Sequence, residues 1–124
     1  MVIGLDIDDT ITRHPEFFAL MSQALVAAGH EVVIITFRDD REATQEDLES
    51  WGVAYTKLVT SSLEAHLEHG VDEWKGVVCS EHGVEVFFDD DPDVIRYVDS
   101  SVTTFLSVDP DRRNMNLPAV RQVG

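Results

Sequence analysis

A chain of 124 residues, 44% of them hydrophobic, is enough for one domain with a single proper core. Its formal net charge of -15 works against general binding to nucleic acid or an anionic membrane, because both are polyanions that need Lys and Arg to displace counterions. The lone Cys79 excludes an internal disulfide framework, and neither a signal-like leader nor an apolar run of membrane-spanning length is present, so the expectation is a soluble, cytoplasmic protein.

In chain order, VIGLDI (2–7) reads as the first strand and runs directly into Asp8, Asp9 and Thr10. A helix is expected over EFFALMSQALVAA (16–28), with Pro15 near its first turn. The second strand is EVVIIT (31–36), followed by an amphipathic helix over REATQEDLESW (41–51) with Leu48 and Trp51 inward, and a short third strand over VAYTKLV (53–59). SSLEAHLEH (61–69) opens with Ser61 three residues before Glu64, a capping-box spacing, and DEWKGVVCSEH (72–82) forms another helix with Asp72 as its cap. VEVFF (84–88) is the fourth strand, DPDVIRYVDS (91–100) a short helix and VTTFLSV (102–108) the fifth strand. Three times a helix-like segment ends at Gly and passes at once into an apolar strand, as in AAGHEVVIIT, SWGVAYTKLV and EHGVEVFFDD; a Gly just past a helix closes it in the left-handed conformation. The Val/Ile/Phe runs show little alternation, which suits a parallel sheet covered on both faces. The predicted fold is a three-layer, Rossmann-like doubly wound α/β domain with five parallel strands over residues 1–108, and 109–124, which has no clear period, is expected to be a peripheral tail.

In such a sheet chemistry collects beyond the carboxyl ends of the strands. Those ends carry Asp6, Asp8 and Thr10 after the first strand, Thr36 after the second, and Asp89, Asp90 and Asp91 after the fourth. If the first and fourth strands are neighbours, at least four carboxylates share one crevice, and two unit charges about 4 Å apart repel by about 4 kcal/mol at an effective dielectric near 20. A divalent cation relieves this. Oxygen ligands without His or Cys beside them select a hard ion, and a site with room for water and phosphate suits Mg²⁺. Taken singly, LDIDDTIT is a strand entering a helix-capping loop and FFDDDPD an acidic turn; together, at two strand ends of one sheet, they point to a site.

An EF-hand loop counted from Asp6 would need an acidic fifth position, Gly at the sixth and Glu at the twelfth, where this chain has Thr10, Ile11 and Phe17. A response-regulator receiver domain needs Asp closing the third strand and Lys closing the fifth, where the chain reads TKLVTS and FLSVDP. The chain instead resembles the haloacid dehalogenase superfamily of phosphohydrolases. The likeness lies in Asp6, Asp8 and Thr10 as DxDxT after an N-terminal strand, in the strand ending at Thr36, in a Lys upstream of the fourth strand and in the paired Asp of VEVFFDD. The continuation DDDPD is similar to the ending seen in the deoxyribonucleotidase-like and polynucleotide-phosphatase-like branches.

The resemblance implies Asp6 as the nucleophile that forms an aspartyl-phosphate, and Asp8 as general acid and then base, its backbone carbonyl helping to hold the metal. It implies Asp6 and Asp90 as side-chain ligands of Mg²⁺, with Asp89 behind Asp90 or in its place, and Thr36 as a hydroxyl donor to phosphate. Two lysines compete for the cationic role. Lys75 in DEWKGVV falls in the first turn of a predicted helix, where a positive charge costs a few tenths to about 1 kcal/mol, and it precedes Asp89 by about fourteen residues; Lys57 lies within the third strand. Lys75 is preferred. Arg38 is either a substrate contact or part of a local ion-pair group with Asp39, Asp40 and Arg41, His14 is read as a solvent-facing loop residue, and His66 and His69 lack a third ligand for a metal. Asp9 receives no chemical role.

Family members choose small substrates with inserted cap domains, and neither the stretch between Thr10 and Glu31 nor that between Val59 and Val84 has room for one. A capless site implies either large or exposed phosphate groups as substrates or a neighbouring subunit of a homo-oligomer as lid. The function so implied is a Mg²⁺-dependent phosphomonoester phosphatase acting on nucleotides or other exposed phosphates. The alternative is a catalytically silent domain that binds a phosphorylated ligand or a protein partner.

Overall fold

The computed structural model describes residues 1–108; the expected tail, 109–124, lies outside the described residues. The strands are β1 (Val2–Leu5), β2 (Glu31–Ile35), β3 (Lys57–Val59), β4 (Val86–Asp89) and β5 (Thr103–Leu106), and the helices are α1 (Pro15–Ala27), α2 (Arg41–Trp51), α3 (Leu63–His69), α4 (Val71–His82) and α5 (Pro92–Ile95), with a 3₁₀ turn at Ile11–Arg13. All strand pairs are parallel, in the order β3-β2-β1-β4-β5. This is the expected doubly wound α/β sheet. No helix among the described residues is long and apolar enough to cross a membrane.

The apolar runs bury both faces of the central strands. On one face Ile3, Leu5, Val32 and Ile34 pack against Phe18 of α1 and Leu48 of α2. On the other, Val33, Ile35 and Phe87 meet Trp74 and Val78 of α4 and Val94 of α5. Gly4 sits in the middle of β1 because an added Cβ would lie 2.8 Å from the Phe87 ring, so glycine lets the Phe87 side chain of β4 lie over β1. Cys79 is also core: burial pushes its thiol up to about 12, which leaves it protonated and inert at neutral pH.

Several expected boundaries move, each for a visible reason. The third strand is confined to Lys57–Val59, because the residues before it close α2 instead: the Val53 N–H donates to the Leu48 carbonyl and the Ala54 N–H to the Ser22 hydroxyl. The helix expected over 91–100 stops at Ile95, where bonds from Tyr97 to Val94 and from Val98 to Ile95 tighten the chain into turns. The cap of α3 is Ser62, which accepts the Ala65 N–H at 3.1 Å, whereas Ser61 donates to the Phe37 carbonyl at 2.6 Å. Asp72 does not cap α4. Gly70, at a φ of 89°, makes the corner between α3 and α4, and α4 begins immediately at Val71. Lys75 is therefore the fifth residue of α4, a full turn in rather than in the first turn.

Candidate functional site

The chain leaves β1 toward β2 on one side and returns to β4 on the other, so the crevice beyond the β1–β4 pair is the topological switch point of the sheet. Leu5 is registered with Phe88, and one residue on, the Asp6 N–H donates to the Phe88 carbonyl at 3.0 Å. That register sets Asp6 beside Asp89. Alternation along β4 turns Phe88 toward the α1 face and Asp89 toward α4.

Lys75 reaches these strand ends from α4. Side chains on a helix lean toward its N-terminus, so a lysine one turn in can bring its ammonium to the crevice. Its Nζ donates to Asp6 Oδ1 at 2.6 Å and to Asp89 Oδ2 at 2.9 Å, and the residue is 1% exposed. The next residue is Gly76, where a Cβ would strike the Tyr97 carbonyl, so glycine is what lets α4 close on the turn after α5. The Phe37 ring, its centroid 4.6 Å from Nζ, adds a cation–π contact. Thr10 Oγ1 donates to Asp6 Oδ2 at 2.8 Å, and Asp89 Oδ1 accepts the Asp91 N–H at 3.0 Å.

Asp6, Asp89 and half-buried Asp90 each offer an oxygen within 4.8 Å of the others. One ammonium among three carboxylates leaves a surplus of negative charge. Burial accordingly pushes the Asp6 carboxyl up to about 7, with the charge of Asp89 adding and Lys75 and Thr10 only partly offsetting it. Burial raises Asp90 as well. For Lys75, burial alone would favour the neutral amine, but Asp6 and Asp89 together outweigh it and hold the ammonium charged. The donor set is oxygen only, and a small hard cation with ligands at about 2.0–2.1 Å draws such oxygens together. The three carboxylates fit an ion of that kind.

The chain matches no protein-family model, no curated protein and no solved structure.

Asp8 does not join the buried cluster. The strand ends at Leu5, and the Thr10 and Thr12 N–H groups both bond the Ile7 carbonyl, so a turn rather than the strand pleat delivers Asp8. Its exposed carboxylate takes a two-pronged contact from Arg38, Nε to Oδ2 at 3.0 Å and Nη2 to Oδ1 at 2.8 Å. These hydrogen bonds hold Asp8 below the usual carboxylate range. Arg38 is itself fixed by Asp47 at 2.7 Å and lies over the Trp51 ring. It pairs with neither Asp39 nor Asp40 in the described contacts, and Asp47, on α2, carried no signal in the sequence. Thr36 is fully buried at the end of β2, and its hydroxyl accepts the Arg38 N–H at 3.1 Å.

The remaining candidates lie elsewhere. Lys57 starts the edge strand β3 and faces Glu31 at 3.7 Å. His66 is set edge-on between Phe37 and Trp74, and His69 faces Glu68 at 3.7 Å. Asp9 takes a φ of 63°, the left-handed region that Asp and Asn tolerate best after Gly. His14 is exposed and lines a cavity beside Thr10. Two contributors were not singled out from sequence: Phe37, whose ring was one more apolar letter after a strand, and Arg38 as the partner of Asp8.

Proposed function

We propose that the protein is a Mg²⁺-dependent phosphomonoesterase working through an aspartyl-phosphate, with nucleotides or other exposed phosphates as substrates. The observation that carries this reading is the gathering of Asp6, Asp89 and Asp90 within 4.8 Å, with Lys75 Nζ bridging Asp6 and Asp89. Held by Asp6, Asp90 and Asp89, the ion would neutralise phosphate charge so that an anionic nucleophile can approach. An Asp6 oxygen forms the new bond to phosphorus as the ester P–O bond breaks, and the leaving oxygen takes a proton from Asp8. Water then attacks the same phosphorus and gives its proton to Asp8 while the Asp6 oxygen departs. Lys75 supplies the cation at the phosphate, and Thr36, whose oxygen accepts the Arg38 N–H, keeps its own proton to donate. Arg38 holds Asp8 ionised, which suits the water-activating step; for the first step Asp8 must part from Arg38 and carry a proton.

The test is hydrolysis of a panel of phosphomonoesters by purified protein with Mg²⁺, with and without EDTA. Activity that EDTA and Asp6→Asn each abolish is expected, and equal activity in Asp6→Asn would sink the mechanism. One observation favours the alternative of a silent binding domain: the resting Asp8 is engaged by Arg38 rather than poised as an acid. Failure across the panel together with Mg²⁺-dependent binding of a phosphorylated ligand would select that reading.

A further inference from the structure

We infer that Phe37 is a shutter over Lys75: its ring must turn aside before a phosphate oxygen can reach the ammonium, an inference that rests on the phosphate role proposed for Lys75. An ammonium has three donors. Two of those on Lys75 are engaged, with Asp6 Oδ1 at 2.6 Å and Asp89 Oδ2 at 2.9 Å. The Phe37 ring lies over the same Nζ, its centroid at 4.6 Å, and Lys75 is 1% exposed. A phosphate oxygen bonds an ammonium at about 2.7–2.9 Å. Nothing from solvent comes that close while the lysine is covered in this way. The resting site therefore holds the cation that the proposed reaction needs and withholds it from the substrate.

The hydrogen bonds around Phe37 tie its backbone and leave its ring able to turn. The Phe37 carbonyl accepts the Ser61 hydroxyl at 2.6 Å, and the Arg38 N–H that follows donates to Thr36 Oγ1 at 3.1 Å, so the main chain stays in place while the side chain changes rotamer. Against the ring lie His66, edge-on at 5.4 Å, and Trp74, tilted at 5.8 Å. These are ring contacts, and His66 Nε2 has no hydrogen-bond partner among the described residues, so no hydrogen bond breaks when Phe37 turns. Phe37 is 36% exposed and belongs to neither core cluster, which leaves it the solvent side to turn into. What it gives up is the cation–π contact, and a charge-assisted bond from a phosphate oxygen to the same ammonium more than replaces that. A closed state favoured by about ten to one, within the reach of a cation–π contact, lowers apparent phosphate affinity by about tenfold.

The experiment measures KM and kcat of the full chain with Mg²⁺ for two unlike esters, 4-nitrophenyl phosphate and glycerol 2-phosphate, in the parent, Phe37→Ala, Phe37→Leu and Phe37→Tyr. The shutter acts on the phosphate group and not on the alcohol, so both esters should respond alike. The expected result is a KM about tenfold lower in Phe37→Ala and lower also in Phe37→Leu, with kcat retained, and parental values in Phe37→Tyr, which keeps the ring face. A ring that served packing alone would lower kcat/KM or the melting temperature and would not tighten KM. An unchanged or higher KM in the folded Ala and Leu variants overturns the inference while leaving the phosphatase reading intact; if Phe37→Ala does not fold, Phe37→Leu decides. If no ester is hydrolysed, the phosphatase reading fails, and calorimetry with inorganic phosphate and Mg²⁺ judges the shutter alone. Binding about tenfold tighter in Phe37→Ala than in the parent supports it; equal binding, or none in either, overturns it.

Discussion

Lys75 Nζ lies 2.6 Å from Asp6 Oδ1, across 69 residues of chain, with both side chains buried. The same ammonium also serves Asp89 at 2.9 Å. A single cation therefore ties α4 to the ends of two adjacent strands.

Removing that cation leaves two buried carboxylates facing each other. Breaking one side of a buried charge pair costs about 3–5 kcal/mol, so Lys75→Met is expected to lower the unfolding free energy by that order in EDTA, read as a lower urea midpoint. Mg²⁺ should recover part of the loss by replacing the missing positive charge. An unchanged midpoint would mean that the carboxylates are not held ionised together.

Asp6 makes the opposite prediction for its own removal. Its folded pKa of about 7 exceeds the ordinary 3.8, so between those values the folded state keeps a proton that the unfolded chain has released. By linkage, stability of the metal-free protein falls as pH rises through that window and does not recover above it. Asp6→Asn has no such proton and leaves Lys75 paired with Asp89. In EDTA at about pH 8 this variant should be more stable than the parent, and saturating Mg²⁺ should reverse the ranking. Parallel pH–stability curves for the two proteins would refute the charge surplus.

Arg38 sets the protonation of Asp8. Hydrogen bonds from the guanidinium lower the Asp8 pKa, which confines an acid-dependent first step to low pH. In Arg38→Gln that pKa rises back toward the ordinary carboxylate value. The alkaline limb of the kcat/KM profile should therefore move to higher pH, whereas a purely structural role for Arg38 would lower the whole profile without shifting it.

Asp6 and Asp9 are three residues apart and differ in kind. Asp9→Asn should retain both activity and stability, because Asn tolerates the φ of 63°. Asp9→Val should cost about 1–2 kcal/mol, the penalty of that conformation for an ordinary L-residue, measured by thermal melting with activity retained in the folded fraction. Loss of activity in Asp9→Asn would place Asp9 in the chemistry.

The order of strands and helices was legible because α1, α2 and α4 are each followed by Gly and an apolar run, and because unalternating runs have nowhere to go but a sheet covered on both sides. Helix caps were less legible: Ser61 and Ser62 are equally good local capping residues, and only the Phe37 carbonyl, which claims Ser61, decides between them. The short third strand and the short α5 were overestimated because their flanking residues are apolar enough for longer elements but bond elsewhere.

By itself the sequence determined that acidic and hydroxyl side chains end the strands of a parallel sheet, since periodicity and punctuation are local properties of the chain. Only the tertiary structure decided which of them meet. Pairing of β1 with β4 put Asp6 beside Asp89, the pitch of α4 carried Lys75 to both, and a turn at Ile7 sent Asp8 to Arg38, 30 residues away. Which charges share a dielectric, and therefore which hold or release protons, depends on distances between segments remote in sequence, and those distances exist only in the folded chain.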